Sequence, residues 1–315
     1  MSAGKNFSII IPHKNIPKLL QRCLDSIPRR KDVQIIVVDD NSDPDIVNFE
    51  QFPALNDPFV EVIFTKEEKG AGYARNIGLT KAIGKWLLFA DADDFYNHCI
   101  NDVLDDYSNT EADIVYFKHN TLDSDTLMPA SRAVAHNDRI DNWFNSPKKH
   151  DPLLRFINPA VWSKLYRTEL IKKNGILFDE ISISNDVTFS YLAAFYAGSI
   201  SADPRTVYCT TIRQCSIRHS NRSIEKTLNI FYVQCKRYRF YKNNNIPIYK
   251  KFSIAKFLFK LKSHNKDYYI KAKKILSEFK FTSCEVIKLC IYDIIILTPR
   301  EKLEAIFFPK KGHSQ

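Results

Sequence analysis

The chain of 315 residues is 44% hydrophobic and 13% aromatic, enough to bury a sizeable core and too apolar for a disordered protein. Its formal charge of +10 is unevenly placed: residues 201–315 hold 24 Lys and Arg against 8 Asp and Glu, which leaves residues 1–200 at −6. Seven cysteines, an odd number without a C-x-x-C pair, argue against a disulfide framework or a zinc site and for reduced thiols in a cytosolic protein.

The N-terminus runs from polar residues straight into 7–11 and then meets Pro12, His13 and Lys14, so no signal-peptide core is read there. Short β-rich runs at 7–11, 33–38, 60–64 and 85–90 alternate with helical patterns at 17–27 and 72–83. That alternation predicts an α/β fold with a mostly parallel central sheet covered on both faces, whose ligands bind beyond the carboxyl ends of the strands.

Another strand is predicted at 114–117, followed by a polar stretch to 149 with Pro129 and Pro147 that reads as a loop or lid. Helical segments near 151–157 and 168–174 frame Trp162, Ser163 and Lys164. From 223 onward Ile224, Leu228, Phe231, Cys235 and Tyr238 recur at helical spacing as one apolar stripe. The longest apolar stretch, 286–297, is interrupted by Lys288 and Asp293 and is too short to span a bilayer. Two domains are expected, 1–220 and a basic, mainly helical 221–315.

Three strands end in polar clusters: Pro12-His13-Lys14-Asn15, Asp39-Asp40-Asn41-Ser42 and Asp91-Ala92-Asp93-Asp94. Each alone also suits a cap or a turn; together they predict one crevice. Asp91, Asp93 and Asp94 repel one another unless they are solvated, protonated or share a cation. Mg²⁺ or Mn²⁺ answers that need, because such ions accept carboxylate oxygens and leave positions for substrate phosphates. A diphosphate leaving group follows. Downstream, Gly70 and Gly72 allow close backbone approach, the next helix offers its N-terminus to phosphate, and Arg75 adds a charged fork.

These segments, 7–15 (FSIIIPHKN), 35–42 (IIVVDDNS), 70–78 (GAGYARNIG) and 91–94 (DADD), resemble in order and spacing the motifs of family-2 glycosyltransferases of the GT-A fold. The resemblance covers roughly residues 5–220. It implies a Rossmann-like GT-A sheet, followed here by the C-terminal helical subdomain read from periodicity, a nucleotide-diphospho-sugar donor, a divalent cation, and transfer to an acceptor hydroxyl with inversion. By that resemblance Pro12, His13 and Asn15 line the nucleotide pocket, Asp40 binds the base, and Gly72, Arg75 and Asn76 lie near ribose, diphosphate or sugar. Asp93 is the main metal ligand, Asp91 serves ribose or metal, and Asp94 has no assigned role.

Residues 162–167 (WSKLYR) followed by Asn185-Asp186 are similar to the acceptor side of the same family, with Asp186 as general base. Asn185 stands where the family usually has Glu, which removes a charge beside that base. An N-cap is the other reading of Asp186, and core packing the other reading of Trp162, which with Lys164 is placed at the acceptor. Arg213, Ser216, Ile217 and His219 resemble a stretch that closes over the diphosphate.

Expected partners are a nucleotide-sugar donor, read as a UDP-sugar, a glycan or lipid-diphosphate-linked glycan acceptor, and an anionic membrane surface on the cytoplasmic side, with no nucleic acid. A sugar-phosphate nucleotidyltransferase lacks its glycine-rich loop after the first strand here. A nucleic-acid-binding protein would rest on the basic C-terminal region alone.

Overall fold

The computed structural model describes residues 4–130, 134–145, 152–213, 223–246, 248 and 254–295. The chain divides into two compact units, 1–220 and 221–315.

In the first unit, β1 (Phe7–His13) is buried at every position, as a strand covered on both faces must be. It pairs in parallel with β2 (Val33–Asp40) and β4 (Trp86–Phe89), and β2 pairs with β3 (Val60–Thr65). Alternation along the strands sends Phe7, Ile9 and Ile11 to one core layer with Leu20, Cys23 and Leu24 of α1 (Pro17–Asp25). Ile10 points to the other layer, with Ile36 and Val38 of β2 and Ala74 and Leu79 of α2 (Ala71–Lys81). The two layers are the direct result of the period-2 strand geometry.

The sheet then changes character. With β5 (Phe95–Tyr96), β6 (Ile114–Asp123), β7 (Lys164–Arg167) and β8 (Ile200–Ile212), the eight strands lie in the order β3-β2-β1-β4-β7-β6-β8-β5. β7 is antiparallel to both β4 and β6, and β5 is antiparallel to β8, while β6 and β8 are parallel. The helices between these strands are α3 (Ile100–Tyr107), α4 (Val134–Asn145), α5 (Pro152–Ile157), α6 (Thr168–Lys173) and α7 (Asp186–Tyr196).

Three features differ from the sequence expectation. β6 continues to Asp123, and α4 stands within the stretch read as a loop or lid, packing Ile140 and Trp143 into the second core layer. β5, β7, β8 and α3 are not among the elements that the sequence predicts. β7 has four residues and acquires its conformation from two flanking strands, which single-segment periodicity cannot register.

The second unit holds α8 (Ile224–Asn243), α9 (Ile254–His264), α10 (Lys266–Glu278) and α11 (Ser283–Ile295). Ser223 caps α8 by accepting from the Lys226 amide, and Asn265 caps α10 through Tyr268. The apolar stripe packs as its spacing requires, with Phe231, Cys235 and Tyr238 against Ile254, Leu258, Leu261, Ala272, Leu276 and Leu289. Glu285 of α11 pairs with Arg239 at 3.1 Å and with Lys242, both on α8. Against the upward push of burial, these cations hold its carboxyl down at about 2. Among the described residues, no helix is long and apolar enough to cross a membrane.

Candidate active site

The carboxyl ends of β1 and β2 are stapled to each other. His13 Nδ1 donates to Asp39 Oδ2 at 2.7 Å while its Nε2 accepts from the Ile16 amide at 3.1 Å, which fixes the imidazole at both nitrogens. Ser42 donates to Asp39 from its amide and its hydroxyl. Burial raises the Asp39 carboxyl, but the bonds from His13 and Ser42 outweigh it and leave the group below its usual range. Asn15 accepts from the Asp43 amide at 2.7 Å and its own amide donates to Ser42. Both Asn15 and Asn41 adopt φ of 57°, a conformation asparagine tolerates better than most residues. Pro12 and His13 are buried, and Lys14 and Asn15 are partly open.

Asp40 is 3% exposed and accepts from the amides of Lys69 at 3.1 Å and Gly70 at 2.7 Å. It thereby holds the chain entering α2, where Gly70 takes φ +91°. Contact between Asp40 and a base requires a lone pair left over from these bonds or the opening of one of them. Lys14 reaches over the same loop to Glu68 at 2.6 Å.

Gly72 and Asn76, expected near ribose, diphosphate or sugar, both meet the 178–186 segment. A Cβ on Gly72 would lie 2.1 Å from the Asp179 carbonyl oxygen, so the missing side chain admits protein backbone. Asn76 spends both ends of its amide on Phe178, donating to the carbonyl at 3.1 Å and accepting from the amide at 2.9 Å. Their job is to bring the 178–186 segment against α2.

Arg75 benefits from that approach. Its guanidinium, 5% exposed, gives one arm to Asp91 Oδ1 at 2.5 Å and the other to Asn185 Oδ1 at 2.9 Å. It lies over the Phe178 ring at 5.3 Å. One cation thus links the end of β4 to the start of α7. Asn185 occupies the N-cap position of α7 but caps no amide, because its side chain turns to Arg75, and Asp186 is the first helical residue. The N-cap reading of Asp186 is overturned. Asp186 is partly exposed by surface area, yet the protein packed around its carboxyl strips enough hydration to raise it to about 6, with Asp91 adding to the shift and Arg75 and Lys164 opposing it.

Lys164 is 3% exposed and donates to the Asn158 carbonyl at 3.0 Å, over the ring of Tyr116. Its charge therefore acts on Asp186 from inside the protein, not from an open acceptor surface. Trp162 is partly buried, stacked on Tyr208 at 5.3 Å and 10°, with His119 against its edge at 4.6 Å.

The three aspartates after β4 separate into distinct roles. Asp94, 5% exposed, accepts from the Thr211 amide at 2.6 Å and from the Tyr208 hydroxyl at 3.1 Å. Burial, then Asp93 and Asp91, push its carboxyl well above the ordinary value. Asp94 is the internal anchor of the turn. The Asp93 carbonyl accepts from Arg22 and Thr211 Oγ1, each at 2.7 Å, and the Asp93 carboxylate pairs with Arg213 at 3.1 Å. Burial and the neighbouring Asp91 charge raise the Asp93 carboxyl. Arg22, Tyr208 and Thr211 were absent from the sequence reading. The alternating β-branched and aromatic residues of 206–212 were the available signal. Ser216, Ile217 and His219 lie outside the described residues.

Asp91 and Asp93 are the hard oxygen donors that a divalent ion would use. Each has one oxygen paired to an arginine and a side chain still 33% or 25% exposed. The Asp93 carboxyl is raised first by burial and then by the Asp91 charge, and a cation shared by the two carboxylates would offset the second of these. Among the described residues no group of three His, Cys, Asp or Glu side chains could hold a metal. The residues fit Mg²⁺ or Mn²⁺ bound by two carboxylates, with phosphate oxygens and water completing the shell.

Residues 8–159 match the family described as glycosyl transferase family 2. The glycosyltransferase EpsJ of Bacillus subtilis is 31% identical over 199 residues, which cover 60% of this chain and 55% of EpsJ; the chain spans about half the length of that relative. The structure of Staphylococcus aureus TarS 1–349 in complex with UDP-GlcNAc superposes with a TM-score of 0.58 at 21% identity, covering 94% of this chain and 77% of that one. Mannosyltransferase PcManGT from Pyrobaculum calidifontis, in complex with GDP-Man and Mn²⁺, gives 0.52 at 14% identity, covering 96% and 86%. Both likenesses establish the GT-A fold.

Proposed function

Because residues 8–159 match glycosyl transferase family 2, we propose that the chain transfers a sugar from a nucleotide-diphospho-sugar to an acceptor hydroxyl, with inversion, in bacterial surface-polysaccharide synthesis. The observation that carries this reading is the Arg75 bridge, which sets Asp91, at the donor end of β4, in register with Asn185 and the base candidate Asp186. A UDP-sugar is the first donor to test, since TarS is solved with UDP-GlcNAc. A GDP-sugar is the second, from the PcManGT complex.

Asp186 takes the proton of the acceptor hydroxyl. A carboxyl raised to about 6 is a stronger base than an ordinary aspartate and is still ionised at neutral pH. Arg75 holds Asp91 and the start of α7 at a fixed separation. Arg213, once released from Asp93, is the cation placed to meet the diphosphate. Asp93, with Asp91 at the metal or the ribose, would hold a divalent ion whose charge offsets that of the departing diphosphate. The edge formed by Lys14 and Asn15 borders the nucleotide, with Pro12, His13 and Asp40 beneath it. Trp162 offers its open part to the acceptor sugar. Much of the rate should come from holding donor and acceptor together.

The basic C-terminal unit supports an anionic partner, either a lipid-diphosphate-linked glycan or the phospholipid surface that carries it. Flotation with anionic liposomes tests this, and failure to co-migrate would refute it. The transfer reading is tested by a panel of UDP- and GDP-sugars assayed for Mn²⁺-dependent donor hydrolysis. One donor class should stand out; a flat response across the panel would overturn the proposal.

A further inference from the structure

Tyr208 is fully buried on β8, yet its hydroxyl reaches the turn that carries Asp91 and Asp93. It accepts from the Asp91 amide at 2.9 Å and donates to Asp94 Oδ2 at 3.1 Å. One oxygen atom thus ties the first and last residues of the turn. The ring that bears it is clamped: Trp162 stacks on it at 5.3 Å and 10°, and Tyr96 meets it at 5.3 Å and 78°. The hydroxyl cannot swing away from the turn without breaking the stack with Trp162.

We propose that Tyr208 is a positioning residue whose hydroxyl sets the direction of Asp91 and Asp93 toward the metal and diphosphate of the donor. The same ring seats Trp162, so the acceptor side and the aspartate turn share one support. This inference rests on the transfer reading above and names a residue on which donor affinity depends.

Tyr208→Phe keeps the ring and removes the oxygen. Tyr96→Phe is a matched control, because the buried Tyr96 hydroxyl donates to the Phe89 carbonyl at 3.2 Å and to nothing in the turn. Three measurements separate positioning from general support: Tm, hydrogen exchange of peptides spanning residues 90–95, and calorimetric affinity for Mn²⁺ with UDP or GDP. Both variants should lose Tm. Only Tyr208→Phe should speed exchange at the Asp91 amide and weaken metal–nucleotide binding, each by about tenfold, the scale of one lost hydrogen bond. Wild-type exchange and affinity in Tyr208→Phe, or equal changes in Tyr96→Phe, would overturn the assignment. Wild-type protein that binds neither nucleotide would sink the transfer reading instead, and exchange at Asp91 would still decide what the hydroxyl does.

Discussion

The Arg75 guanidinium lies 2.5 Å from Asp91 Oδ1, and this ion pair joins helix α2 to the turn after β4. The second arm of Arg75 reaches Asn185, one residue before Asp186. A lysine is a point charge and cannot serve both partners in fixed geometry. Arg75→Lys is therefore expected to lower kcat/KM by about 10- to 100-fold, the scale of one lost charged hydrogen bond. Steady-state kinetics with the preferred donor checks this, and wild-type turnover would remove Arg75 from the site.

Asp186→Asn removes the proton acceptor and keeps the shape of the residue. Transfer should fall by about 10²- to 10⁴-fold, while calorimetric binding of the metal–nucleotide stays near wild type. Equal losses in turnover and nucleotide affinity would show that Asp186 holds structure and does not take the proton.

The pH dependence has a definite sign. Asp186 acts as a base only when ionised, so kcat/KM should decline as pH falls through about 6, by about tenfold per unit below it. In the Asn variant that limb should vanish from the residual rate. Stability runs the other way. A carboxyl whose value is raised on folding from 3.8 to about 6 holds its proton more tightly in the folded state. Its stabilising contribution is complete below the ordinary value and is lost as pH rises through about 6. Asp186→Asn should therefore be no less stable than wild type at pH 7.5 in thermal melts.

Asp93→Ala should abolish metal-stimulated donor hydrolysis, and chelation should do the same to the wild type, since only two carboxylates of the turn are open to an ion. Asp94→Ala is expected to act differently, lowering Tm with a smaller effect on metal dependence, because it removes the inward bonds of Asp94 to Tyr208 and Thr211. Titration of activity with Mn²⁺ separates the two; full activity of chelated wild type would refute the metal reading.

Gly72→Ala places a methyl group 2.1 Å from the Asp179 carbonyl oxygen and 3.1 Å from Asn185 Cβ. Backbone must move, at a cost of about 1 to 3 kcal/mol, and the movement falls on the segment that leads into Asp186. Lower Tm together with reduced turnover is expected from thermal melts and kinetics. Unchanged turnover would show that the start of α7 tolerates displacement.

The order of hydrophobic runs and acidic strand ends was enough, in the sequence alone, to determine β1 to β4, α1, α2, the polar clusters at the strand ends and the likeness to a glycosyltransferase domain. Those features are local: a strand buried on both faces reads as a continuous apolar run, and a polar cluster at its end is visible without partners. The roles of individual polar residues were not local. Asp91, Asp93 and Asp94 are chemically alike in sequence. They differ because β8 and the residue that follows it, more than a hundred residues away, bring Tyr208, Thr211 and Arg213 to the same turn. Gly72 and Asn76 stand in the sequence as candidate ligand neighbours, and nothing there shows that the 178–186 segment also packs against them. Only tertiary structure decides which polar groups are already satisfied by the protein and which remain for a ligand, because a hydrogen bond or a burial cost depends on neighbours that chain order does not reveal.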